Sequence, residues 1–306
     1  MESQVKFNLS SSQLRDWVKK AKQKSKQGNL PRYIPQLAQV DAEAFAVCIL
    51  SQANSIKIAG DATHHFPLMS VIKPFLLLYL LVEQGTETIF NRVGLEPSEY
   101  PYNSLDQLQA DGGKPRNPMI NSGAITLADL IAEKTAIARC ETLRIWLNHW
   151  GNCQLFLDES VYQSVASLPN PNNQALTQTL LQSGQIQDAE IALETYNLIC
   201  CLSGTVTDLA KLGMMLVQPP QLIGAQPGTI VKALMMTCGL YQASAQFAVK
   251  VGLPTKSGVS GAVLSVIPGQ GAIASYSPPL DAQGNSIGGV YLIAEIAQAL
   301  NLSVFI

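Results

Sequence analysis

The sequence predicts an α+β fold: one mostly antiparallel sheet takes its strands from both ends of the chain, with a helical part inserted between them. Three observations predict it. β-rich apolar runs stand at "AFAVCILS" and "SIKIAG" near the start, and at "AVLSVIPG", "GAIASYS" and "SIGGVYLIAEI" after residue 260. Most windows from about 70 to 240 carry apolar residues at helical spacing. The chain has 306 residues, 47% of them hydrophobic and 14% charged, a globular composition long enough to bury a large core. We read one unit, 1–306, in which 30–65 and 250–306 supply the sheet and 66–249 are mainly helical.

Taken in order, Ser12 is positioned to cap a helix through "QLRDWVKKAKQKSKQ" that stops at Gly28-Asn29. The first two strands join at Gln52-Ala53-Asn54. "ADLIAEKTAIARCETLRIWLNHW" and "VTDLAKLGMMLV" read as helices, and "LEPSEYPYNS" (95–104) and "SLPNPNN" (167–173) as loops. "PGQG" and "PPLDAQGN" separate the last β-rich runs, and "AEIAQAL" returns to helix.

A net charge of −2 gives no basic footprint for nucleic acid, and the basic run "VKKAKQKSK" (18–26) reads as the solvated face of a helix. "MESQVKFNLS" has no apolar leader, and "PFLLLYLLV" (74–82) is too short to span a bilayer, so we expect a cytoplasmic protein without membrane partners. The six cysteines show neither C-x-x-C nor zinc spacing and read as reduced, buried thiols. His64-His65 has no third ligand spaced near it and reads as an exposed loop. "DGGK" (111–114) lacks the phosphate-loop pattern.

The chemistry concentrates at "FPLMSVIKPFL" (66–76). Pro74 is tolerated only in a first helical turn, so the helix should start near Ser70. That puts Ser70 at a helix N-terminus and Lys73 on the same face one turn on. A lysine desolvated by "FLLLYLLV" loses basicity and can take a serine proton. The plainer reading is a helix cap followed by a snorkelling lysine. "LPTKSGVSGAV" (253–263) adds Lys256-Ser257-Gly258 at the head of a strand, the second element of Ser-x-x-Lys acyl-transfer enzymes. The backbone N–H groups of Val259 and Ser70 then suit an oxyanion hole.

Over roughly residues 30 to 295 the sequence resembles the serine-dependent glutaminases, which have a β-lactamase-like fold. The resemblance rests on "YIPQLA" (33–38), "AGDA" (59–62), "KPRNPMINSGAI" (114–125), "LDESVYQS" (157–164), "TDLAKLG" (207–213), "MTCGLYQASAQFAVKVGLPTKSGVSGAV" (236–263) and "SPPLDAQGNS" (277–286), in the family's order. It implies hydrolysis of L-glutamine to L-glutamate and ammonia without a metal or organic cofactor. It assigns Ser70 as nucleophile, Lys73 as general base and Tyr241 as a proton relay. Tyr33, Asn121, Asn173 and Tyr196 would bind substrate, and Val259 would complete the oxyanion hole. It also implies a small-molecule substrate and a homodimer or homotetramer.

The departures from the family pattern are specific. Val165 stands where the family has the glutamate that grips the substrate's ammonium. Asn172 stands where arginine is expected, in a stretch one residue longer, which makes Asn173 the best match for the family's asparagine. Met69 replaces glutamine before the nucleophile. A buried ammonium without a partner is costly. Either another carboxylate, such as Glu159 or Glu194, swings in, or the substrate is not a free α-amino acid. An amidase of the same fold with a non-glutamine substrate, and a weakly catalytic binding relative, are the alternatives. A retained proton relay argues against a pure binder.

Overall fold

The computed structural model describes residues 9–306, so most of "MESQVKFNLS" lies outside the described residues. The chain opens with α1 (Ser11–Ser25). Ser10 rather than Ser12 caps it: the Ser10 backbone is extended and its hydroxyl accepts from Gln13 N at 3.1 Å, while Ser12 is already inside the first turn. The helix ends at Ser25, before Gly28, and Asn29 leaves the turn to form a bridge with Leu280.

After α2 (Pro35–Ala38) come β1 (Ala46–Ser51), β2 (Ile56–Gly60) and the short β3 (Phe66–Pro67). A 3₁₀ turn over Met69–Ile72 leads into α3 (Lys73–Arg92). Every side chain of α3 from Phe75 to Leu81 is buried, which makes it the helix at the centre of the fold. It breaks at Gly85, whose φ of 79° suits glycine. Next follow α4 (Leu105–Ala110), α5 (Asn121–Asp129), α6 (Ala136–Gly151), β4 (Phe156–Leu157), α7 (Glu159–Ala166), α8 (Pro171–Gln182) and α9 (Ala189–Cys200). Then come β5 (Leu202–Gly204), α10 (Val206–Val217), α11 (Ala225–Cys238) and α12 (Ser244–Lys250). β6 (Thr255–Ser257), β7 (Ala262–Ile267), β8 (Gly271–Tyr276) and α13 (Ile287–Leu300) close the chain.

The main sheet has five strands in the order β2-β1-β8-β7-β6, every neighbouring pair antiparallel. β3, β5 and β4 form a second, three-stranded antiparallel sheet. The period-2 alternation of the main sheet separates two cores. Cys48, Leu264, Val266, Ala272 and Ala274 face the large core shared with α3, α5, α9 and α10. Val47, Ile49, Val263 and Ile273 face a smaller one, closed by Leu14 and Trp17 of α1 and by Leu292, Ile293 and Ile296 of α13. The sheet is therefore a middle layer, and the helical side of it carries the site.

Two readings of local structure need correction. "SIGGVYLIAEI" is not a β-run but the first turns of α13. Its buried Leu292, Ile293, Ile296 and Ala297 recur at helical spacing, and the Ser286 hydroxyl caps it at Gly289 N (3.1 Å). The long window beginning "ADLIAEK" is two helices rather than one. α5 stops at Asp129, and Thr135 caps α6 by accepting from Ala138 N at 3.3 Å. All six cysteines are free and buried. His64 stacks on Tyr276, with ring centroids 5.0 Å apart, and His65 packs edge-on to Phe156. Among the described residues no group of His, Cys, Asp and Glu is placed to hold a metal ion.

Candidate active site

Where β3 ends, the chain turns sharply into α3. Met69 sits at φ 47°, in the left-handed region that non-glycine residues seldom adopt. This turn presents Ser70 at the start of the helical segment, and Pro74 falls in the first turn of α3, where no backbone N–H is missed. The predicted start at Ser70 is thus met by a 3₁₀ turn, with α-helix from Lys73.

Ser70 opens onto a cavity of about 320 Å³ that Tyr33, Asn121, Asn173, Tyr196 and Val259 also line. Lys73 and Tyr241 are not in its wall but directly behind it. Lys73 is fully buried, and its Nζ donates to Asn121 Oδ1 at 2.7 Å and to the Met119 carbonyl at 3.2 Å. Burial strips its water and brings its pKa down to about 8. Asn121, the first residue of α5, is the hub. Its Oδ1 also accepts from the Tyr196 hydroxyl at 2.9 Å, and its Nδ2 donates to Asn173 Oδ1 at 2.9 Å. The Tyr241 hydroxyl lies beside Ser70 and Ser257 without a completed hydrogen bond, and burial raises its pKa, so it stays protonated at neutral pH. Tyr241, like Met69, holds a positive φ, of 55°.

The Lys256-Ser257-Gly258 strand reaches the site through its backbone. A Cβ on Gly258 would stand 2.7 Å from the Leu68 carbonyl oxygen and 3.4 Å from Ser70 N, so only glycine lets β6 approach Ser70 this closely. The Lys256 side chain does not line the cavity. It is fully buried, donates to its neighbour's carbonyl, Ser257 O, at 2.6 Å, and sits 4.7 Å from the Tyr241 ring centroid. Burial and then nearby Lys73 push its pKa well down. Ser257 Oγ donates to Asn285 Oδ1 at 2.6 Å, tying the strand to the "DAQGN" turn.

Sequence reasoning missed Tyr102, in the loop read only as turn-rich. Its hydroxyl lies 3.5 Å from that of Tyr33, and its ring packs 4.8 Å from the Tyr241 ring. It also missed Cys200, which lines the cavity and whose thiol burial raises to about 11. Neither residue has a local signal, because each reaches the site from a distant stretch of chain. Val165 does line the cavity, as do Met69 and Asn172, whereas Glu159 and Glu194 do not. Glu194 Oε1 instead accepts from the Tyr162 hydroxyl at 3.2 Å.

A buried Ser-x-x-Lys pair at a helix start, beside a glycine-bearing edge strand of an antiparallel sheet, is the layout of the β-lactamase-like fold. Comparison with known proteins narrows this. The family model described as Glutaminase matches residues 28–305. A glutaminase of Synechocystis sp. is 46% identical over 296 residues, covering 95% of this chain and 89% of its own. The structure of a probable glutaminase from Bacillus subtilis complexed with 6-diazo-5-oxo-L-norleucine superposes with TM-score 0.88 at 30% identity, covering 100% of both chains. A covalent complex of the B. subtilis glutaminase YbgJ with 5-oxo-L-norleucine gives TM-score 0.87 at 30% identity, covering 96% of this chain and 99% of that one. The chain belongs to the glutaminase family, whose members are amide hydrolases.

Proposed function

We propose that the protein hydrolyses the side-chain amide of L-glutamine to L-glutamate and ammonia through a Ser70 acyl-enzyme, with Lys73 as general base. The observation that carries this reading is Ser70 on the cavity wall, backed by a buried lysine whose pKa has fallen to about 8. Neutral Lys73 takes the Ser70 proton as Oγ bonds to the carboxamide carbon. The carbonyl electron pair moves to oxygen, where the N–H groups of Ser70 and Val259 meet it. The C–N bond then breaks, and a proton delivered by Lys73 or Tyr241 lets nitrogen leave as ammonia. Water attacks the acyl carbon by the same route in reverse, restoring Ser70 and releasing the acid. The cycle balances with water as the only co-reactant. Tyr33, Asn121, Asn173 and Tyr196 hold the rest of the substrate.

The covalent adduct formed by the Bacillus enzyme supports a covalent path in this fold. We further read the protein as a cytoplasmic homodimer or homotetramer acting on a small molecule, without nucleic-acid or membrane partners. A net charge of −2 leaves no basic footprint for nucleic acid, and no helix among the described residues is long and apolar enough to cross a membrane. Ammonia and glutamate release from L-glutamine by purified protein, lost in Ser70→Ala, is the expected result. Release that survives Ser70→Ala removes the serine mechanism, and light scattering on the same sample reads the assembly.

A further inference from the structure

The cavity wall built by the last turn of α7, the loop after it and the first turn of α8 carries Val165, Leu168, Pro169, Asn170, Asn172 and Asn173. Not one of the described residues lining the cavity, on this wall or elsewhere, is acidic or basic. The acidic side chains on the framing helices, Glu159 of α7 and Glu190 and Glu194 of α9, do not reach it. Asp158 is occupied as the cap of α7, accepting from Ser160 N and Val161 N.

The amides carry no charge to replace the missing carboxylate, and three of their oxygens, those of Asn121, Asn170 and Asn173, already accept hydrogen bonds. Asn173 Oδ1 accepts from Asn121 at 2.9 Å, and Asn170 Oδ1 accepts from Asn173 N at 3.1 Å. Asn121 Oδ1 accepts from both Lys73 and Tyr196. The NH₂ groups of Asn170 and Asn173 remain as donors. An ammonium finds no anionic partner among these lining residues, only neutral ones, whereas a carbonyl or carboxylate oxygen meets the amide donors.

From this wall we propose that the site takes small γ-carboxamide acids whose α-position is uncharged, N-acylated glutamine or its desamino analogue 4-carbamoylbutanoate, at least as well as glutamine itself. The inference rests on the amide-hydrolase reading above and names its substrate class. At about 320 Å³ the cavity is near the lower end of small-molecule pockets, ~300–1,000 Å³. The α-substituent is accordingly hydrogen or a short acyl group, seated against Val165 and Leu168 with its carbonyl towards the free asparagine NH₂ groups.

The test separates recognition from turnover. Calorimetric titration of Ser70→Ala protein with L-glutamine, N-acetyl-L-glutamine and 4-carbamoylbutanoate reads binding alone. We expect at least one neutral-α amide to bind as tightly as glutamine or tighter. Adding Val165→Glu should reverse the order, with glutamine gaining at least tenfold and 4-carbamoylbutanoate losing at least tenfold. Glutamine preferred more than tenfold over both analogues by the Ser70→Ala parent overturns the proposal, as does binding of none of the three. The wild-type kcat/KM values for the same amides should follow the same order. If the binding order holds but the wild type releases ammonia from none of them, the hydrolytic reading falls and the recognition stands.

Discussion

Lys73 Nζ lies 2.7 Å from Asn121 Oδ1, so the amine that we propose as the base is held by a neutral amide. No salt bridge among the described residues includes Lys73. A carboxylate there would favour the charged ammonium and remove the base, whereas an amide oxygen orients Nζ without that penalty. The working form is the neutral amine, so kcat/KM should rise with pH to a plateau, with an apparent pKa near about 8. Asn121→Asp should move that limb upward by at least one pH unit, because the new carboxylate pulls the Lys73 pKa up. A pH–rate profile of both proteins checks this, and an unmoved limb would assign the titration to another group.

The same burial carries a stability cost with a definite sign. The folded pKa of Lys73, about 8, lies below its ordinary value of 10.5. The unfolded chain therefore binds more protons between those limits, and stability rises with pH across them. The cost is complete below about pH 8 and gone above about 10.5. Lys73→Met removes it, so we expect the inactive variant to be more stable than wild type at pH 7 by on the order of 2 kcal/mol, with the difference shrinking towards pH 10. Urea unfolding at the two pH values decides. A less stable variant at pH 7 would mean that the hydrogen bonds to Met119 and Asn121 outweigh the desolvation.

The legibility of this protein follows the range of each signal. β1, β2, β7 and β8 were readable because apolar and turn residues alternate locally, and the start of α3 because Pro74 allows little else. α13 was misread because Val290, Tyr291 and Ile293 look β-forming one by one, while the burial rhythm that makes them helical depends on the sheet beneath. Ser70, Lys73 and Gly258 were found through short motifs. Tyr102 and Cys200 were not, because their place at the site is set by packing between distant segments. The resemblance marks Val165 as standing where the family has a glutamate, and the assembled wall adds that no acidic side chain lines the cavity.

Gly258 gives a backbone prediction with an internal control. A methyl group there would clash with the Leu68 carbonyl oxygen, crowd the Val71 side chain and drive β6 away from Ser70. Gly258→Ala should lower kcat/KM by on the order of 100-fold, the usual cost of a displaced oxyanion donor, and lower the melting temperature. Gly228, inside α11, has only the Lys232 Nζ tip at 3.8 Å from a built Cβ. Gly228→Ala should leave activity intact and raise stability by roughly 0.5–1 kcal/mol. Equal effects at both positions would show that glycine content, not closeness to Ser70, is what matters.

Tyr241 separates catalysis from stability most cleanly. Its ring is fixed between Tyr102, 4.8 Å away, and Lys256 Nζ, 4.7 Å from the ring centroid. Its buried hydroxyl has no completed hydrogen bond although it lies beside Ser70 and Ser257. A buried hydroxyl without a partner adds nothing to folding, so Tyr241→Phe should melt at the wild-type temperature or slightly above it. In the proposed mechanism a hydroxyl kept protonated beside Ser70 hands a proton to departing ammonia, and its loss should lower kcat by roughly 10²–10⁴-fold. Calorimetry and single-turnover ammonia release on the same preparation test both halves. A variant that melts several degrees lower yet keeps its kcat would make Tyr241 a structural residue and leave Lys73 to carry both proton transfers.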